Sequence, residues 1–265
     1  MSHVTAFAVP ATARTSLRAP APGSKPAAAN VVGLRIPQKV CPTPCTLIEK
    51  NDFAIRIADE SSSEAVDTLV QRMYGGRGYC LSDQWAARRR AVGSSITFEA
   101  TRDSSTVGTL TVNLGGDDGL NAEALYAREI AAFRRPGLRP CEFTRLAMSG
   151  ADLSKEALGA LFHVGVVFAS KVFGATDLFI EVNPRHRQFY CNQIGFHHVG
   201  EERICPRVDA PAVLLHKNLG VCTSELLRLG GVRERRNRTF YAYMLTPDDE
   251  LAMIRNVPAA VRLAS

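Results

Sequence analysis

Hydrophobic and polar positions alternate in the first half of the chain in a way that predicts both strands and helices. Phe53, Ile55 and Ile57 alternate with smaller or polar residues, which is the period of a strand buried on one face. Residues 61–64 read Ser-Ser-Ser-Glu and precede an apolar repeat of about 3.6 residues, so they predict the start of a helix. That helix is expected to end at residues 75–76, a pair of glycines.

The rest of the apolar pattern predicts a mixed α/β domain. The predicted elements are a hairpin of strands at 94–101 and 107–114, a helix at 121–133, a strand at 141–148, a long helix at 154–173, a strand at 176–182, a helix at 184–195, and strands at 196–200 and 212–219. The long helix is apolar almost all round, so we expect it to be largely buried. This order predicts one domain over residues 51–219, with a central mixed β-sheet and helices on both faces.

Both ends of the chain differ from this middle part. Residues 1–50 are rich in Ala and Pro and hold six Lys/Arg against one acid, which predicts a disordered basic leader with order beginning near Asp52. An organelle transit peptide is an alternative for this segment, although its prolines would break an amphipathic helix. Residues 220–265 hold seven Lys/Arg and predict an Arg-rich helical C-terminal extension.

Composition and charge exclude several classes of protein. The chain has 265 residues, of which 46% are hydrophobic, and this balance is that of a globular protein. Its net charge of +6 comes from the two ends, because residues 51–219 hold 19 Lys/Arg and 20 acids, so a nucleic-acid partner is not predicted. No run approaches the roughly 20 apolar residues of a transmembrane helix. Seven irregularly spaced cysteines predict reduced thiols in the cytoplasm and no metal site.

The most specific motif lies at residues 181–190, which read Glu-Val-Asn-Pro-Arg-His-Arg-Gln-Phe-Tyr and are followed by Ile-Gly-Phe at 194–196. A strand that ends in Asn-Pro, a helix that carries Phe-Tyr and a returning Gly-Phe resemble the C-terminal half of the Gcn5-related N-acyltransferase fold. Val-Gly-Thr-Leu at 107–110 and Glu-Phe-Thr-Arg-Leu at 142–146 resemble the acyl-homoserine lactone synthases and, more closely, the bacterial N-acyl amino acid synthases of the FeeM type. The segments at 200–203, 205–207 and 210–215 strengthen the second likeness, which covers residues 52–219.

This resemblance implies an enzyme that transfers a fatty acyl group from an acyl carrier protein thioester to the α-amine of an amino acid. It implies a cleft between two strands that part, no permanently bound cofactor, and an acyl-phosphopantetheine thioester as co-substrate, carried by acyl carrier protein or by coenzyme A. Residues 148–153 hold one glycine and one acid where coenzyme A-dependent relatives have a glycine-rich phosphate loop, which favours the carrier protein. The alternatives are an acyl-homoserine lactone-type synthase and a non-catalytic module that binds acyl carrier protein or lipid.

Glu142 is the first candidate for a general base that takes the proton of the attacking amine. Its pKa is expected to rise if the strand around it is desolvated. Arg145 is a candidate to bind the substrate carboxylate with its planar guanidinium, and an ion pair with Glu142 or Glu99 is the alternative. Residues three apart on a regular strand face opposite sides, so both side chains share a cleft only if a β-bulge lies between Phe143 and Arg145.

Four further residues are candidates for the site. Tyr190 is expected to protonate the leaving thiolate, with a place in the core as the alternative. Asn183 is expected to bind the pantetheine amides or to cap the following helix. Arg207 is a second candidate ligand of the substrate carboxylate. Trp85 is a candidate wall of the acyl site, beside a lid or linker at residues 75–79.

Other charged and nucleophilic residues carry weaker hypotheses. The Arg runs at 88–90 and 233–238 would steer an acidic carrier protein, or they form solvated faces. His163 lies in the long apolar helix and is interpreted as a buried structural histidine. Cys141 beside Glu142 suggests an acyl-enzyme, which is disfavoured because no histidine is fixed near it by the sequence.

Overall fold

A single eight-stranded β-sheet organises the described part of the protein. The computed structural model describes residues 45–50, 52–79, 95–116, 119–149, 155–234 and 237–257. Trp85, the Arg run at 88–90 and residues 1–44 of the predicted leader lie outside the described residues. The strand order is β1-β2-β3-β4-β5-β6-β8-β7, and every neighbouring pair is antiparallel except β5 and β6.

The elements follow the predicted order closely. They are β1 (Cys45–Glu49), β2 (Ala54–Ile57), α1 (Ser63–Gly75), β3 (Ser95–Arg102), β4 (Ser105–Asn113), α2 (Glu123–Ala131), β5 (Pro140–Met148), α3 (Lys155–Val167), β6 (Asp177–Val182), α4 (Pro184–Phe189), β7 (His197–Cys205), β8 (Ala210–Asn218), α5 (Leu219–Leu229) and α6 (Pro247–Asn256). α3 and α4 each continue in a π-helical segment, Phe168–Val172 and Tyr190–Ile194. A short 3-10 helix, Phe240–Tyr243, lies between α5 and α6.

The predicted hairpin is formed by β3 and β4. Its two turn residues, Asp103 and Ser104, have φ of 48° and 63°. Two left-handed residues in a row give a turn whose twist matches that of the strands on either side. The helix predicted to end at residue 195 does so, because Gly195 has φ of 81° and takes the left-handed position after the helix.

The ordered domain begins earlier than predicted. β1 covers Cys45–Glu49 and pairs with β2, and its Leu47 and Ile48 are buried. The prediction that residues 1–50 are a disordered leader is therefore wrong for residues 45–49. The strand has only five residues and directly follows a Pro-Thr-Pro sequence, so the local pattern gave no periodic signal.

The domain also continues past the predicted boundary at residue 219. Tyr241, Met244 and Met253 are buried in the same apolar core as α3 and the sheet. In α3, Gly159 provides the space in which the backbone of Tyr243 lies against the helix. Residues 220–257 therefore form part of the domain rather than an appended extension, and they cover the outer side of the apolar α3.

Helices lie on both faces of the sheet, as predicted. On one face, α1 and α2 cover Ala147, Phe179 and Leu214. On the other face, α3 and the C-terminal helices cover the main core. In the part of the chain that the structure describes, no helix is long and apolar enough to cross a lipid bilayer.

Candidate active site

The two parallel strands β5 and β6 part in the middle of the sheet. Their pairing runs from Pro140 opposite Asp177 to Phe143 opposite Ile180 and then stops. Beyond that point β5 pairs only with β4, while β6 stays paired with β8. The opening between two strands that the family resemblance implied is therefore present.

A β-bulge lies in β5 just beyond the parting point. Thr144 is opposite Thr111, but the next pair joins Ala147 to Thr109, so β5 has one extra residue there. Arg145 lies in this bulge with φ of 54°, a left-handed conformation that is uncommon for a residue with a side chain. The bulge was predicted between Phe143 and Arg145, and it lies one step further along the strand.

A cavity of about 340 Å³ occupies the opening between the parted strands. Its apolar lining includes Leu110, Phe143, Leu158, Phe162 and Ile180, and α3 contributes two of these residues. The acids, arginines and histidine of its lining are Glu142, Glu181, Arg145, Arg207, Arg77 and His186. The cavity therefore has an apolar wall, two carboxylates and several guanidinium groups.

Glu142 is buried and is held by three hydrogen-bond donors. Its Oε1 accepts from Asn113 Nδ2 at 2.8 Å and from the Asn121 N–H at 2.7 Å, and its Oε2 accepts from the Ala122 N–H at 3.0 Å. Burial raises the pKa of Glu142 above its usual value, and these hydrogen bonds together with Arg207 counteract part of the rise. A carboxylate offers about four acceptor sites, so one remains for a further donor.

Arg145 lines the cavity but forms neither of the ion pairs considered for it. Its guanidinium pairs with Asp67 of α1. Glu99 instead accepts a hydrogen bond of 2.9 Å from the Thr106 hydroxyl. The pair with Asp67 fixes the guanidinium in the wall of the cavity that contains Glu142.

Tyr190 lines the same cavity from the π-helical segment that follows α4. Its ring packs against Phe189 and Phe196, with 5.3 Å and 5.8 Å between ring centres. Burial raises the pKa of Tyr190 to about 12, so the hydroxyl keeps its proton at neutral pH. Among the described residues, none forms a hydrogen bond with this hydroxyl.

Asn183 caps α4 and also lines the cavity. Its side-chain oxygen accepts from the Arg185 N–H at 3.2 Å, and its amide nitrogen donates to the Pro211 carbonyl at 3.3 Å. The capping role is therefore present in the structure. A contact with pantetheine stays a prediction.

Arg207 reaches the cavity from the turn between β7 and β8. Its guanidinium forms an ion pair of 2.8 Å with Glu181 and donates to the Asn121 carbonyl at 2.6 Å. The sequence analysis did not select Glu181, Asn113 or Asn121. A signal for Glu181 was available, since it is the acid within the apolar run at 178–182, two residues before Asn183.

The side of the cavity between α1 and α4 carries a group of basic and aromatic residues. Arg185 donates to the Tyr79 hydroxyl at 3.1 Å and lies over the Tyr79 ring. Burial, Arg185 and Arg77 lower the pKa of His186, so its imidazole is held neutral. The predicted lid at residues 75–79 thus ends in a tyrosine that contacts α4.

The remaining candidates lie elsewhere. His163 is buried and contacts the Glu250 carboxylate at 2.9 Å, in agreement with a structural role. Cys141 is buried, and desolvation together with Glu142 raises the pKa of its thiol, which opposes a role as nucleophile. No disulfide joins the described cysteines, and no three metal-binding side chains of the described residues come together.

The sheet order, the parallel pair that parts at a bulge and the cavity in the opening are those of the Gcn5-related acyltransferase fold. These features place the protein in the class of acyltransferases. A family model described as N-acyl amino acid synthase FeeM matches residues 65–218, more than half of the chain, and the chain belongs to this family. The family resemblance predicted from the sequence is confirmed.

Solved structures agree with this assignment. FeeM, an N-acyl amino acid synthase from uncultured soil microbes, is 27% identical with a TM-score of 0.59, and the match covers 64% of this chain and 97% of FeeM. The acyl-homoserine lactone synthase LasI is 13% identical with a TM-score of 0.50, over 69% of this chain and 98% of LasI, and shows the fold alone. Comparison with curated proteins found no match. The protein is an N-acyltransferase.

Proposed function

We propose that this N-acyltransferase moves a long-chain fatty acyl group from the phosphopantetheine thioester of acyl carrier protein to the α-amine of an amino acid. The observation that carries the proposal is the buried Glu142 carboxylate beside an apolar wall, in the opening between β5 and β6. An amine and a fatty thioester are the two substrates that such a cavity would bring together. Membership of the FeeM family supports the same pair.

In the proposed reaction, Glu142 accepts a proton from the substrate ammonium at its remaining acceptor site. Glu142 passes this proton to solvent, and the free amine attacks the thioester carbonyl to form the C–N bond. The nitrogen of the tetrahedral intermediate loses its second proton to the Glu142 carboxylate as the C–S bond breaks. Tyr190 then donates its proton to the leaving thiolate and is reprotonated from solvent. A base whose pKa is raised towards neutrality is more effective at cellular pH, and such help is typically worth about 10²- to 10⁴-fold in rate.

We assign the substrate carboxylate to Arg145. Arg145 lines the cavity from the bulge in β5, in the same cavity as Glu142. The ion pair with Asp67 orients this guanidinium in the cavity wall. A lysine could not reproduce this planar arrangement.

The basic side of the cavity supports an anionic donor arm. Arg77 lines the cavity just after α1, and Arg185 of α4 contacts Tyr79, which also lines it. Among the described residues, no acid forms an ion pair with either arginine. Their charge is complementary to a phosphopantetheine phosphodiester and to the acidic surface of a carrier protein. The cytoplasmic location predicted from the cysteines stays a prediction.

The experiment supplies purified protein with a fatty acyl-carrier protein or with the same acyl chain on coenzyme A, in each case with a mixture of amino acids. We expect a product whose mass equals fatty acid plus amino acid minus water, formed faster from the carrier protein. The Glu142→Gln variant should lose most of this activity. Glu129→Gln is the matched control, because Glu129 lies on α2 outside the cavity and pairs with Arg203.

Three results would contradict the proposal. An acyl-lactone product would indicate a homoserine lactone-type synthase. Binding of acyl carrier protein without turnover of any amino acid would indicate a binding module. Undiminished activity in folded Glu142→Gln would remove Glu142 from the chemistry.

A further inference from the structure

A continuous chain of polar contacts runs from Glu181 to Glu142 through Arg207. Glu181 Oε1 is 2.8 Å from the Arg207 guanidinium, which in turn donates to the Asn121 carbonyl at 2.6 Å. That carbonyl belongs to the same peptide group as the Ala122 N–H, which donates to Glu142 Oε2 at 3.0 Å. The contacts therefore link the two carboxylates of the cavity through one arginine and one peptide group.

We propose that Arg207, held by Glu181, is a positioning residue that keeps Glu142 oriented and ionised by polarising the peptide between Asn121 and Ala122. The proposal rests on the proposed function for the role of Glu142 as base. It gives Arg207 a task that differs from binding the substrate carboxylate. It also gives Glu181 a function.

The physical basis is the cooperativity of hydrogen bonds in a low-dielectric site. A carbonyl that accepts a hydrogen bond from a guanidinium draws electron density from its own amide, so the N–H of that peptide becomes a stronger donor. This N–H belongs to the residue just before α2, whose helical geometry is interrupted at Tyr126 with φ of −124° and ψ of 33°. The stronger donor favours the carboxylate form of Glu142.

The groups around Glu142 also favour its ionised form. β4 contributes the neutral Asn113 amide, and the segment just before α2 contributes two backbone N–H groups. The Cys141 thiol of its own strand stays protonated, since burial raises its pKa. Arg207 is the cation that counteracts the rise in the pKa of Glu142.

Geometry also assigns Arg207 a mechanical role. It lies in the turn between β7 and β8, whereas Asn121 lies just before α2. The contact between them fixes the two backbone donors of Glu142 relative to the wall of the cavity.

A matched control exists on the same helix. Arg203 pairs with Glu129 and donates to the Leu125 carbonyl. Like Arg207, it therefore combines an ion pair with a hydrogen bond to a backbone carbonyl, but four residues further along the chain from Asn121. Arg203 is not among the described residues that line the cavity. Replacing it removes an equivalent ion pair and carbonyl contact without touching the Asn121–Ala122 peptide.

The test measures the titration of Glu142 itself, by ¹³C NMR on protein labelled in its glutamate carboxyl groups. The Glu142 signal is identified by its absence from Glu142→Gln. We expect the midpoint in Arg207→Gln to rise by about 1 pH unit or more, because a nearby opposite charge lowers a carboxyl pKa by that amount. Arg203→Gln should titrate as wild type. Arg207→Lys, which keeps the charge but loses the two-armed contact, should lie between them.

Steady-state kinetics provide the second readout. The acid limb of kcat/KM against pH should move to higher pH in Arg207→Gln by the same amount as the Glu142 midpoint. An unchanged Glu142 midpoint in folded Arg207→Gln or Arg207→Lys overturns the proposal. A raised KM for the amino acid without a shift of the midpoint also overturns it, and assigns Arg207 to the substrate carboxylate. Absence of any acylated amino acid with wild type overturns the proposed function instead, and the titration still decides the positioning role.

Discussion

Gly159 provides a sharp test of how the C-terminal segment packs on α3. A Cβ at this position would lie 2.2 Å from the Tyr243 carbonyl oxygen and 2.7 Å from its carbonyl carbon, whereas ordinary contact begins near 3.4 Å. The obstructing atoms are backbone atoms, so no rotamer change can relieve the clash. Gly159→Ala must therefore push the segment around Tyr243 away from the helix by about 1 Å.

The magnitude follows from two opposing effects. Overpacking a core costs about 1–3 kcal/mol, and a backbone obstruction lies at the upper end of that range. Alanine in place of glycine inside a helix returns about 1 kcal/mol. We expect a net loss of about 2 kcal/mol in the free energy of unfolding, which corresponds to about 4–8 °C in Tm for a domain of this size.

The assay is urea unfolding followed by circular dichroism, with Gly75→Ala as the matched control. Gly75 is the last residue of α1, and a Cβ there would meet nothing within 4 Å. This variant should be as stable as wild type or more stable, by up to about 1 kcal/mol. If Gly159→Ala unfolds at the same urea concentration as Gly75→Ala, the C-terminal segment does not lie against α3 as described.

Three further predictions follow from the titratable groups. Tyr190→Phe should lower kcat while leaving KM for the amino acid unchanged, measured by product formation, and an unchanged kcat would exclude Tyr190 as proton donor. Wild-type kcat/KM should fall on the acid side at a pH above the ordinary range of a glutamate, because burial raises the pKa of Glu142, and a fall near pH 4.5 would contradict this. Hydrogen bonding to His163, supported by Lys171, lowers the pKa of Glu250 to about 2. The ionised carboxylate therefore stabilises the fold at pH values above 4.5, which is the pKa of the group in the unfolded chain. This contribution is lost as the pH falls towards 2. Glu250→Gln should therefore be less stable than wild type near neutral pH and should lose less stability on acidification. Thermal unfolding across pH measures both effects, and the same pH dependence of Tm in the variant and in wild type would refute this prediction.

Much of the fold was predictable because its local patterns agree with its tertiary structure. The β3–β4 hairpin combines two periodic strands with a short polar turn, and the helix before Gly195 ends at a residue suited to a left-handed position. β1 was not predictable, because its stability depends on pairing with β2 and on packing against α6 rather than on its own sequence. The predicted domain boundary at residue 219 was wrong for a similar reason. The Arg run near residue 235 separates, in the sequence, the domain from core residues that join it only through tertiary contacts.

Five of the candidate residues line one cavity, but their connections were not predictable, and their roles stay predictions. Glu142 stood out as an acid between apolar neighbours, and it is buried. Strand geometry showed that Glu142 and Arg145 can share a cleft only if a bulge lies between them. The position of the bulge at Arg145 depends on a left-handed backbone conformation, which no nearby residue type indicates. The link from Arg207 to Asn121 spans 86 residues and arises only when the turn after β7 reaches the start of α2.

The contact between β1 and α6 also constrains the order in which the chain can fold during synthesis. The Asn256 amide donates to the Leu47 carbonyl at 3.1 Å across 209 positions, and Lys50 pairs with Asp249 at 2.7 Å. The ribosome therefore releases the first strand long before the helix that shields it exists. Contacts so distant along the sequence form slowly, so β1 stays uncovered by α6 until the chain has been synthesised as far as residue 256.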